Sequence, residues 1–438
     1  MSGLPQQRIQ EWVRAHEDEI VGFLLEYLDQ ISVNPRRAVT EREQGGERAA
    51  QEWLAAQAER LSLGAPVVWR VDEGRPNLGW SIGAGDTHGV VFNGHVDTVG
   101  VSPQQLAGWL SDPYHAEVRD GRVYGRGAND MKAGTVAFLW AAKAITELGL
   151  PLQKRIGLTV TSAEESTEAE LGILTLPAHG FTGELLVCAE PTSGAFCPAG
   201  LGMFYFRVEV TGRTSHTATR YGSLRAFESY ERGESDDVIG VDAVSLATRY
   251  IAALNELDAS WSERPTSPLL DEEVGRSICP IRVAGGASAA EIAGDCVVEF
   301  CATLDPGDSV EAATAEIVAA IAKVTDASRW LSAHPPRLTL PIVHRVIEPL
   351  NFAVGRPIAE ALVAELAAIV PSVRLGAMPG PCDANIIASE LGAPAVVFGP
   401  GLLADGAHGE NESVVIAELL EVCIADACLM LTTSGARA

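Results

Sequence analysis

Histidine and carboxylate side chains follow several apolar, strand-like segments of this chain, and the first such pair is His95 and Asp97. They come after the apolar pair Val91-Phe92 and the turn signal Asn93-Gly94, a position where ligands commonly sit on an α/β sheet. Residues i and i+2 of an extended chain point to the same side, so Asp97 can hydrogen-bond one ring nitrogen of His95 while the other nitrogen binds a metal. The pair predicts either a supported metal ligand or a purely structural contact.

Four further sites carry the same residue types, namely Asp130, Glu164-Glu165, Glu190 and His408. Taken singly, Asp130 could cap the helix that follows it, the glutamate pair could form a solvated acidic turn, and His408 could be a surface residue. Together, two histidines and three carboxylates, with one glutamate to spare, suit zinc, and a carboxylate can bridge two ions. Two-metal hydrolases place their ions about 3.5–4 Å apart and activate water between them, so the set predicts a metal-dependent hydrolase.

With these motifs in this order, the chain resembles the M20 family of metallopeptidases and amidohydrolases. That family contains acetylornithine deacetylase, succinyl-diaminopimelate desuccinylase, aminoacylase-1 and glutamate carboxypeptidase. The resemblance runs from about residue 10 to residue 432, and the form Glu190-Pro191-Thr192 is most similar to the deacetylase and desuccinylase branch. It implies two Zn²⁺ ions per chain, for which Co²⁺ or Mn²⁺ can substitute.

The resemblance also implies a role for each residue of the set. The implied metal ligands are His95, Asp130, Glu165, Glu190 and His408. Asp130 would bridge the two metals, each histidine would bind a different metal, and the two glutamates would complete one metal each. Glu164 would be the general base, taking a proton from the bridging water and delivering it to the leaving nitrogen. Asp97 would support His95, and a cis peptide bond is implied between Asp130 and Met131.

The order of predicted elements then divides the chain into three segments. Residues 1–201 alternate helices and strands, which indicates an α/β sheet with helices on both faces. Residues 202–345 follow a βαββαβ order, which predicts a ferredoxin-like α+β domain. Residues 346–438 return to α/β character and carry His408, so the first and third segments must form one catalytic domain with the middle segment inserted as a lid. The resemblance implies this zinc-peptidase-like plan and a homodimer formed through the lid.

The predicted boundaries come from hydrophobic periodicity and turn signals. Helices are predicted near 8–31, 47–62, 131–148, 241–257, 309–324, 356–369 and 411–432. Strands are predicted near 66–71, 77–83, 88–93, 155–162, 185–189, 203–211, 279–285, 295–304, 336–342 and 394–399.

Composition indicates a soluble, cytoplasmic enzyme. The chain has 438 residues, which predicts two domains, and no apolar run approaches the length of a membrane span. Residues 1–19 are polar and lack the apolar core of a signal peptide. Eight scattered cysteines without CxxC spacing predict reduced thiols, mostly buried. The formal charge of −26 argues against nucleic acid or an anionic membrane as a partner.

His216 is the candidate catalytic residue of the lid and follows its first predicted strand. By residue type alone it is a polar loop histidine. The resemblance implies that it stabilises the oxyanion of the tetrahedral intermediate, often from the partner subunit. Such a donor contributes about 2.7–4 kcal/mol to catalysis.

The lid departs from the family at positions that commonly hold a substrate carboxylate. An Asn after a Gly-Gly pair falls on Ala290, an Arg before a Pro-Gly pair falls on Thr303, and the usual Gly-Thr-Ser-Asp loop reads Gly380-Pro381-Cys382-Asp383. Because Arg–carboxylate pairs are among the stronger polar contacts, we expect either a substrate without the usual α-carboxylate or a contact from another arginine. The candidate arginines are Arg213, Arg220, Arg225 and Arg282. Residues 221–237 form an extra stretch, predicted as a specificity flap or as a passive surface loop.

The sequence therefore predicts a dinuclear zinc amidohydrolase that cleaves an N-acyl or peptide-like C–N bond of a small molecule. A dipeptidase or carboxypeptidase of the same family is the alternative enzyme. A non-catalytic binding protein on the same fold is the alternative of another class.

Overall fold

A computed structural model describes residues 4–270, 274–342, 345–351 and 356–435. The α-helices are α1 (Pro5–Ala15), α2 (Glu17–Leu28), α3 (Gly46–Ala56), α4 (Pro103–Leu106), α5 (Ala133–Glu147), α6 (Arg220–Glu231), α7 (Ala243–Ser262), α8 (Val310–Asp326), α9 (Arg329–Ala333), α10 (Arg356–Ala367), α11 (Asp383–Ile386) and α12 (Ile416–Thr433). The strands are β1 (Val67–Asp72), β2 (Arg75–Ile82), β3 (His88–His95), β4 (Glu117–Arg119), β5 (Arg122–Tyr124), β6 (Arg155–Thr161), β7 (Leu186–Cys188), β8 (Ala195–Gly200), β9 (Gly202–Thr211), β10 (Ser215–His216), β11 (Ser277–Gly285), β12 (Glu291–Ile292), β13 (Asp295–Leu304), β14 (Arg337–Thr339), β15 (Leu350–Asn351), β16 (Arg374–Met378), β17 (Ala395–Val397) and β18 (Ser413–Val415).

The chain divides into two compact units, one of residues Met1–Gly200 with Leu350–Ala438 and one of residues Leu201–Pro349. The units therefore change after residues 200 and 349, where the sequence placed the changes after residues 201 and 345. An α/β unit built from both ends of the chain and an inserted α+β unit confirm the predicted fold class.

A nine-stranded mixed sheet forms the centre of the first unit in the described part of the chain, with strand order β1-β2-β6-β3-β7-β17-β8-β15 and β16 paired to β8. Strand β3 lies between β6 and β7 and is parallel to both. All of β3 is buried, which agrees with the apolar sequence that predicted it and with a parallel sheet covered on both faces. The carboxyl ends of three neighbouring strands therefore meet at one edge of the sheet.

Helix α5 shows why an alanine-rich sequence was needed beside this sheet. Its residues from Ala133 to Ile145 are all buried, and it packs on α12 and on β3. Small side chains let the helix backbone approach its neighbours closely. Gly134 is an extreme case, because a Cβ atom there would lie 1.8 Å from the carbonyl oxygen of Ala189.

The second unit is a four-stranded antiparallel sheet in its described residues, with order β11-β13-β9-β14. Helices α7 and α8 pack with this sheet around a core that contains Phe204, Phe206 and Phe300. Burial alternates along β9 and β13, as expected for strands with one face on a core. The chain order β9-α7-β11-β13-α8-β14 is the predicted ferredoxin-like arrangement.

Several elements differ from the sequence prediction. The predicted helix 8–31 is two helices, α1 and α2. The extra stretch 221–237 is helical up to Glu231 in α6 rather than a loop, and its role as a specificity flap stays a prediction. The carboxylate of Glu231 in α6 accepts hydrogen bonds from the N–H groups of Arg329 and Trp330 at the start of α9. The short strands β4, β5, β8, β10, β12, β15, β16 and β18 were not predicted.

The described residues can be compared with the predictions about cysteines and membrane spans. None of the eight cysteines, all of which lie in the described residues, is in a disulfide bond, and Cys279 is exposed whereas Cys423 and Cys428 are buried in α12. Within the residues that the structure describes, no helix is long and apolar enough to cross a membrane.

Asp426 in α12 provides a test of this core. Both of its carboxylate oxygens are buried and have no hydrogen-bond partner among the described residues. Burial raises the pKa of Asp426 well above its usual value. The folded protein therefore keeps a proton that the unfolded chain releases above about pH 4, and stability falls as the pH rises above that value.

We expect Asp426→Asn, which cannot ionise, to raise the midpoint of thermal unfolding more at about pH 8 than at about pH 5. Thermal unfolding measured across this pH range checks the prediction. Asp86→Asn is the matched control, because Asp86 is exposed and its replacement should leave the midpoint unchanged. An equal shift of the Asp426→Asn midpoint at both pH values would contradict the prediction.

Candidate metal centre

Three adjacent parallel strands bring most of the predicted ligands to one edge of the sheet in the first unit. His95 is the last residue of β3, Glu164 and Glu165 form a 3₁₀ turn after β6, and Glu190 follows β7. Both glutamates of this turn line the same cavity.

Asp130 lies between the two histidines. Its Oδ1 atom is 3.2 Å from Nε2 of His95, and its Oδ2 atom is 3.2 Å from Nε2 of His408. Asp130 does not cap α5, because the N-cap position of that helix is Lys132, two residues further along the chain. The peptide bond from Asp130 to Met131 is cis, as the family resemblance implied.

Each histidine also faces a second carboxylate of its own. Glu190 Oε1 lies 3.4 Å from His95 Nε2, and Glu165 Oε2 lies 3.1 Å from His408 Nε2. The ligand atoms of His95, Asp130 and Glu165 all lie within 4.8 Å of one another. The structure therefore brings the five predicted ligands together as two groups that share Asp130.

The carboxylates of this cluster are buried close together. Burial raises the pKa of Glu164 well above its usual value, and burial and the neighbouring charge of Asp130 raise the pKa of Glu165 and of Glu190. Asp130 behaves oppositely: although burial opposes it, the facing imidazoles of His408 and His95 hold its pKa well below the usual range. The cluster concentrates negative charge that bound cations would offset.

The donor atoms fit a divalent metal. Nε2 of His95 is buried and makes no hydrogen bond to any described residue, although it faces two carboxylates. An imidazole nitrogen and carboxylate oxygens are ligands that zinc accepts.

Asp97 supports His95 through a different atom from the one predicted. Nδ1 of His95 hydrogen-bonds the backbone carbonyl of Asp97 at 2.8 Å, whereas the nearest carboxylate oxygen of Asp97 is 3.7 Å away. The prediction of a carboxylate hydrogen bond was wrong because β3 ends at His95, so Asp97 lies beyond the extended segment. Its carboxylate instead accepts hydrogen bonds from Asn34 at 2.8 Å and from the N–H group of Glu165 at 3.0 Å.

A cavity of about 260 Å³ opens over the cluster in the first unit. It is lined by Asp130, Glu164, Glu165, Glu190, Met378, Gly380, Pro381, Leu403, Ala407 and His408. Among these described lining residues there is no lysine or arginine, and apart from the four acids and His408 all are small or apolar. Gly380 lines the cavity, whereas Cys382 is buried beside α11 and does not, and their roles in substrate binding stay predictions.

The predicted lid residues lie in the second unit. His216 is exposed in β10, and its Nδ1 atom accepts a hydrogen bond from the N–H group of Ala218. Ala290 lies near it, because its carbonyl accepts a hydrogen bond from Thr217. The oxyanion role of His216 and the homodimer through the lid stay predictions.

The hydroxyl of Thr303 is already used within the second unit, where it donates a hydrogen bond to the carbonyl of Gly275. Of the candidate arginines, Arg220 pairs with Asp242 at 2.9 Å, and Arg282 lies 3.4 Å from Glu299 while its side chain is 60% exposed. The backbone of Arg213 pairs with Val241, and Arg225 is exposed on α6. Their roles in substrate binding stay predictions.

Sequence reasoning missed a buried ion-pair network behind the Glu164-Glu165 turn. Arg75 donates two hydrogen bonds to Glu47, at 2.7 and 3.0 Å, and one to Glu168 at 2.9 Å. Glu168 also accepts a hydrogen bond from Ser166, which belongs to the turn. No local pattern could have indicated these contacts, because Arg75 and Glu168 lie 93 positions apart.

Comparison with known proteins identifies the family. Residues 91–430 match the model of peptidase family M20/M25/M40. The chain belongs to this family. Among M20 relatives, it is 26% identical over 423 residues to the N-formyl-4-amino-5-aminomethyl-2-methylpyrimidine deformylase of Bacillus subtilis, which covers 94% of each chain. It is 37% identical over 151 residues to the succinyl-diaminopimelate desuccinylase of Gluconacetobacter diazotrophicus, which covers 33% of this chain and 38% of that protein.

The fold of human carnosine dipeptidase 1 is similar, with a TM-score of 0.70, 19% identity, and coverage of 99% of this chain and 100% of that chain. As an M20 member, the protein is a hydrolase of amide or peptide C–N bonds. M20 metallopeptidases use a divalent metal, and His95, Asp130 and Glu165 form a group that can hold one.

The network around Arg75 generates a stability prediction. We expect Arg75→Met to destabilise the protein by about 3–5 kcal/mol, because it leaves the carboxylates of Glu47 and Glu168 buried with a partner missing. Denaturant unfolding measures the change. Arg48→Met is the control, since the Arg48–Glu52 pair is exposed and its loss should cost less than about 1 kcal/mol. Equal effects of the two substitutions would contradict the prediction.

Proposed function

We propose that this M20 hydrolase is a dinuclear zinc amidohydrolase that removes an acyl group from an amide whose amine side carries no carboxylate. The observation that carries the metal part is the position of Asp130, which presents one carboxylate oxygen to each histidine. One metal would be held by His95, Asp130 and Glu190, and the other by His408, Asp130 and Glu165. Ions bound there would supply Lewis-acid polarisation of the amide carbonyl and activation of water.

Glu164 supports the proposal as the residue that moves the proton. It lines the cavity, its Oε2 atom is 4.0 Å from Nε2 of His95, and it belongs to neither ligand group. A carboxylate oxygen of Glu164 takes a proton from the attacking water as the water oxygen bonds to the carbonyl carbon. The C–N bond then breaks, and Glu164 returns the proton to the leaving nitrogen.

We expect Glu164→Gln to keep its metals and fold but to lose turnover by a factor of about 10² or more. Elemental analysis should give about two divalent ions per chain for the wild type and for Glu164→Gln. The matched variant Glu165→Gln should lose metal, because Oε2 of Glu165 lies 3.1 Å from Nε2 of His408 and both atoms can bind the same ion. Full activity with less than one ion per chain would contradict the two-metal proposal. If Glu164→Gln loses metal and Glu165→Gln does not, Glu164 is the metal ligand and Glu165 the general base.

The proposed substrate class rests on the scarcity of positively charged side chains that could bind a substrate carboxylate. Ala290 and Thr303 stand where the family commonly grips a carboxylate, and the described residues that line the cavity include no lysine or arginine. The relative that is similar over 94% of both chains is a deformylase, and the amine in its printed name carries no carboxyl group. These observations favour a neutral N-acyl amide, with an N-formyl group on an aminomethyl-substituted ring as the first compound to try.

We expect hydrolysis of an N-formyl aminomethylpyrimidine or N-formyl benzylamine to exceed that of N-acetylornithine and N-succinyl-diaminopimelate in kcat/KM. Thr303→Arg should lower activity on the neutral amide or shift preference towards acidic substrates, because it adds the missing cation. Thr303→Val is the control, since it removes the hydroxyl without adding charge. High kcat/KM on acetylornithine or succinyl-diaminopimelate would overturn the substrate proposal.

The dipeptidase or carboxypeptidase alternative is tested by adding dipeptides to the same panel. Arginine and lysine are the usual partners of a peptide carboxylate, and the described residues lining the cavity include neither. Preferred hydrolysis of dipeptides would therefore require an arginine from outside this cavity lining.

A further inference from the structure

Glu412 is a buried carboxylate to which neither the ligand set nor the proton transfer assigns a role. Its exposed fraction is zero, and it accepts four hydrogen bonds, from Arg126 at 2.5 Å and from the backbone N–H groups of Gly127, Asn129 and Asp130 at 3.0, 2.9 and 3.0 Å. One of these donors is therefore the backbone of the residue that faces both histidines. A carboxylate is the only kind of side chain that offers four acceptor sites and no donor.

The same residue belongs to the loop that carries His408. The carbonyl of Glu412 accepts a hydrogen bond from Gly125 at 3.1 Å, and Nη2 of its ion-pair partner Arg126 donates to the carbonyl of Gly409 at 3.0 Å. Strands β5 and β18 pair with each other directly beside these contacts, because β5 ends just before Gly125 and β18 begins just after Glu412. Glu412 and Arg126 thus join the loop of Asp130 to the loop of His408.

The His408 loop has a backbone that needs such support. His408 and Asn411 both have positive φ values, 58° and 54°, which cost a non-glycine residue of order 1–3 kcal/mol. Gln105 donates a hydrogen bond to the carbonyl of His408, and the side chain of Asn411 bonds the backbone of Gly108 and of Leu110. The position of His408 is therefore imposed by contacts from distant parts of the chain.

We infer that Glu412 is a positioning residue that sets the separation of Asp130 and His408, and so the geometry of the metal site they share. This inference rests on the metal-binding part of the proposed function and not on the identity of the amide. A glutamine at this position would point its NH₂ group at one of the N–H donors or at Arg126, so that at least one contact becomes donor against donor. Arg126 would also remain buried without its counter-charge.

The test uses full-length apo protein titrated with Zn²⁺ against a competing chelator, and with Co²⁺ followed by its visible absorption. We expect Glu412→Gln to bind Zn²⁺ about 10–100-fold more weakly, to give a changed Co²⁺ spectrum, and to lose kcat with little change in KM. Glu410→Gln is the matched control, because Glu410 is exposed in the same loop and its replacement should leave affinity and spectrum within about twofold of the wild type.

Arg126→Lys is the second variant, since it keeps the charge but cannot bond both Glu412 and Gly409 as the guanidinium does. It should weaken Zn²⁺ binding in the same direction, and it decides the question if Glu412→Gln does not fold. The inference is overturned if folded Glu412→Gln has the Zn²⁺ affinity and the Co²⁺ spectrum of the wild type. If Glu412→Gln does not fold, the same result for folded Arg126→Lys overturns it. An inactive wild type on the amide panel would defeat the substrate proposal alone, because metal affinity still reports on Glu412.

Discussion

The concentration of buried acids at one edge of the sheet is the constraint that the rest of the first unit satisfies. Asp130, Glu164, Glu165 and Glu190 surround two imidazoles, and burial favours the neutral form of most of these carboxyl groups. Ionised carboxylates so close together repel one another in a region of low dielectric. Divalent cations remove this penalty, which is why the arrangement makes chemical sense as a metal site and poor sense as a structural core.

Two sets of residues meet this constraint: strand ends supply the side chains of the site, and buried ion pairs hold the loops that carry them. Three parallel strands deliver His95, the Glu164-Glu165 turn and Glu190 to neighbouring points, because parallel strands end at the same edge. Buried ion pairs behind the site hold the connecting loops, with Arg75 between Glu47 and Glu168 on one side and Arg126 with Glu412 on the other. Such pairs contribute little net stability. Each nevertheless holds a loop in one conformation, because separating the partners would leave a buried charge unpaired.

The cavity over the acidic cluster has two kinds of lining. Asp130, Glu164, Glu165, Glu190 and His408 supply groups that fit metal binding and proton transfer, while Met378, Gly380, Pro381, Leu403 and Ala407 form the remainder of the described lining. The donor atoms that fit a metal come from the acids and the histidines, so the small and apolar part of the lining can differ between family members that act on different substrates.

The sequence by itself determined the residue types of the site, the family and the order of the two units. It could do so because each ligand follows a strand or opens a helix, and those signals are local: the apolar run before His95 and the alanine-rich helix after Asp130 are visible within a few residues. The βαββαβ order of the lid is likewise a succession of local patterns, and it predicted the ferredoxin-like sheet.

Only the tertiary structure decided which atoms meet. The backbone carbonyl of Asp97 rather than its carboxylate reaches His95, and helix α6 stands where a loop was expected. Arg126 and Glu412 lie 286 positions apart, yet they share a hydrogen bond and join two ligand loops. Contacts of this kind depend on where the chain returns after folding, and no periodicity, turn signal or residue spacing in one dimension contains that information.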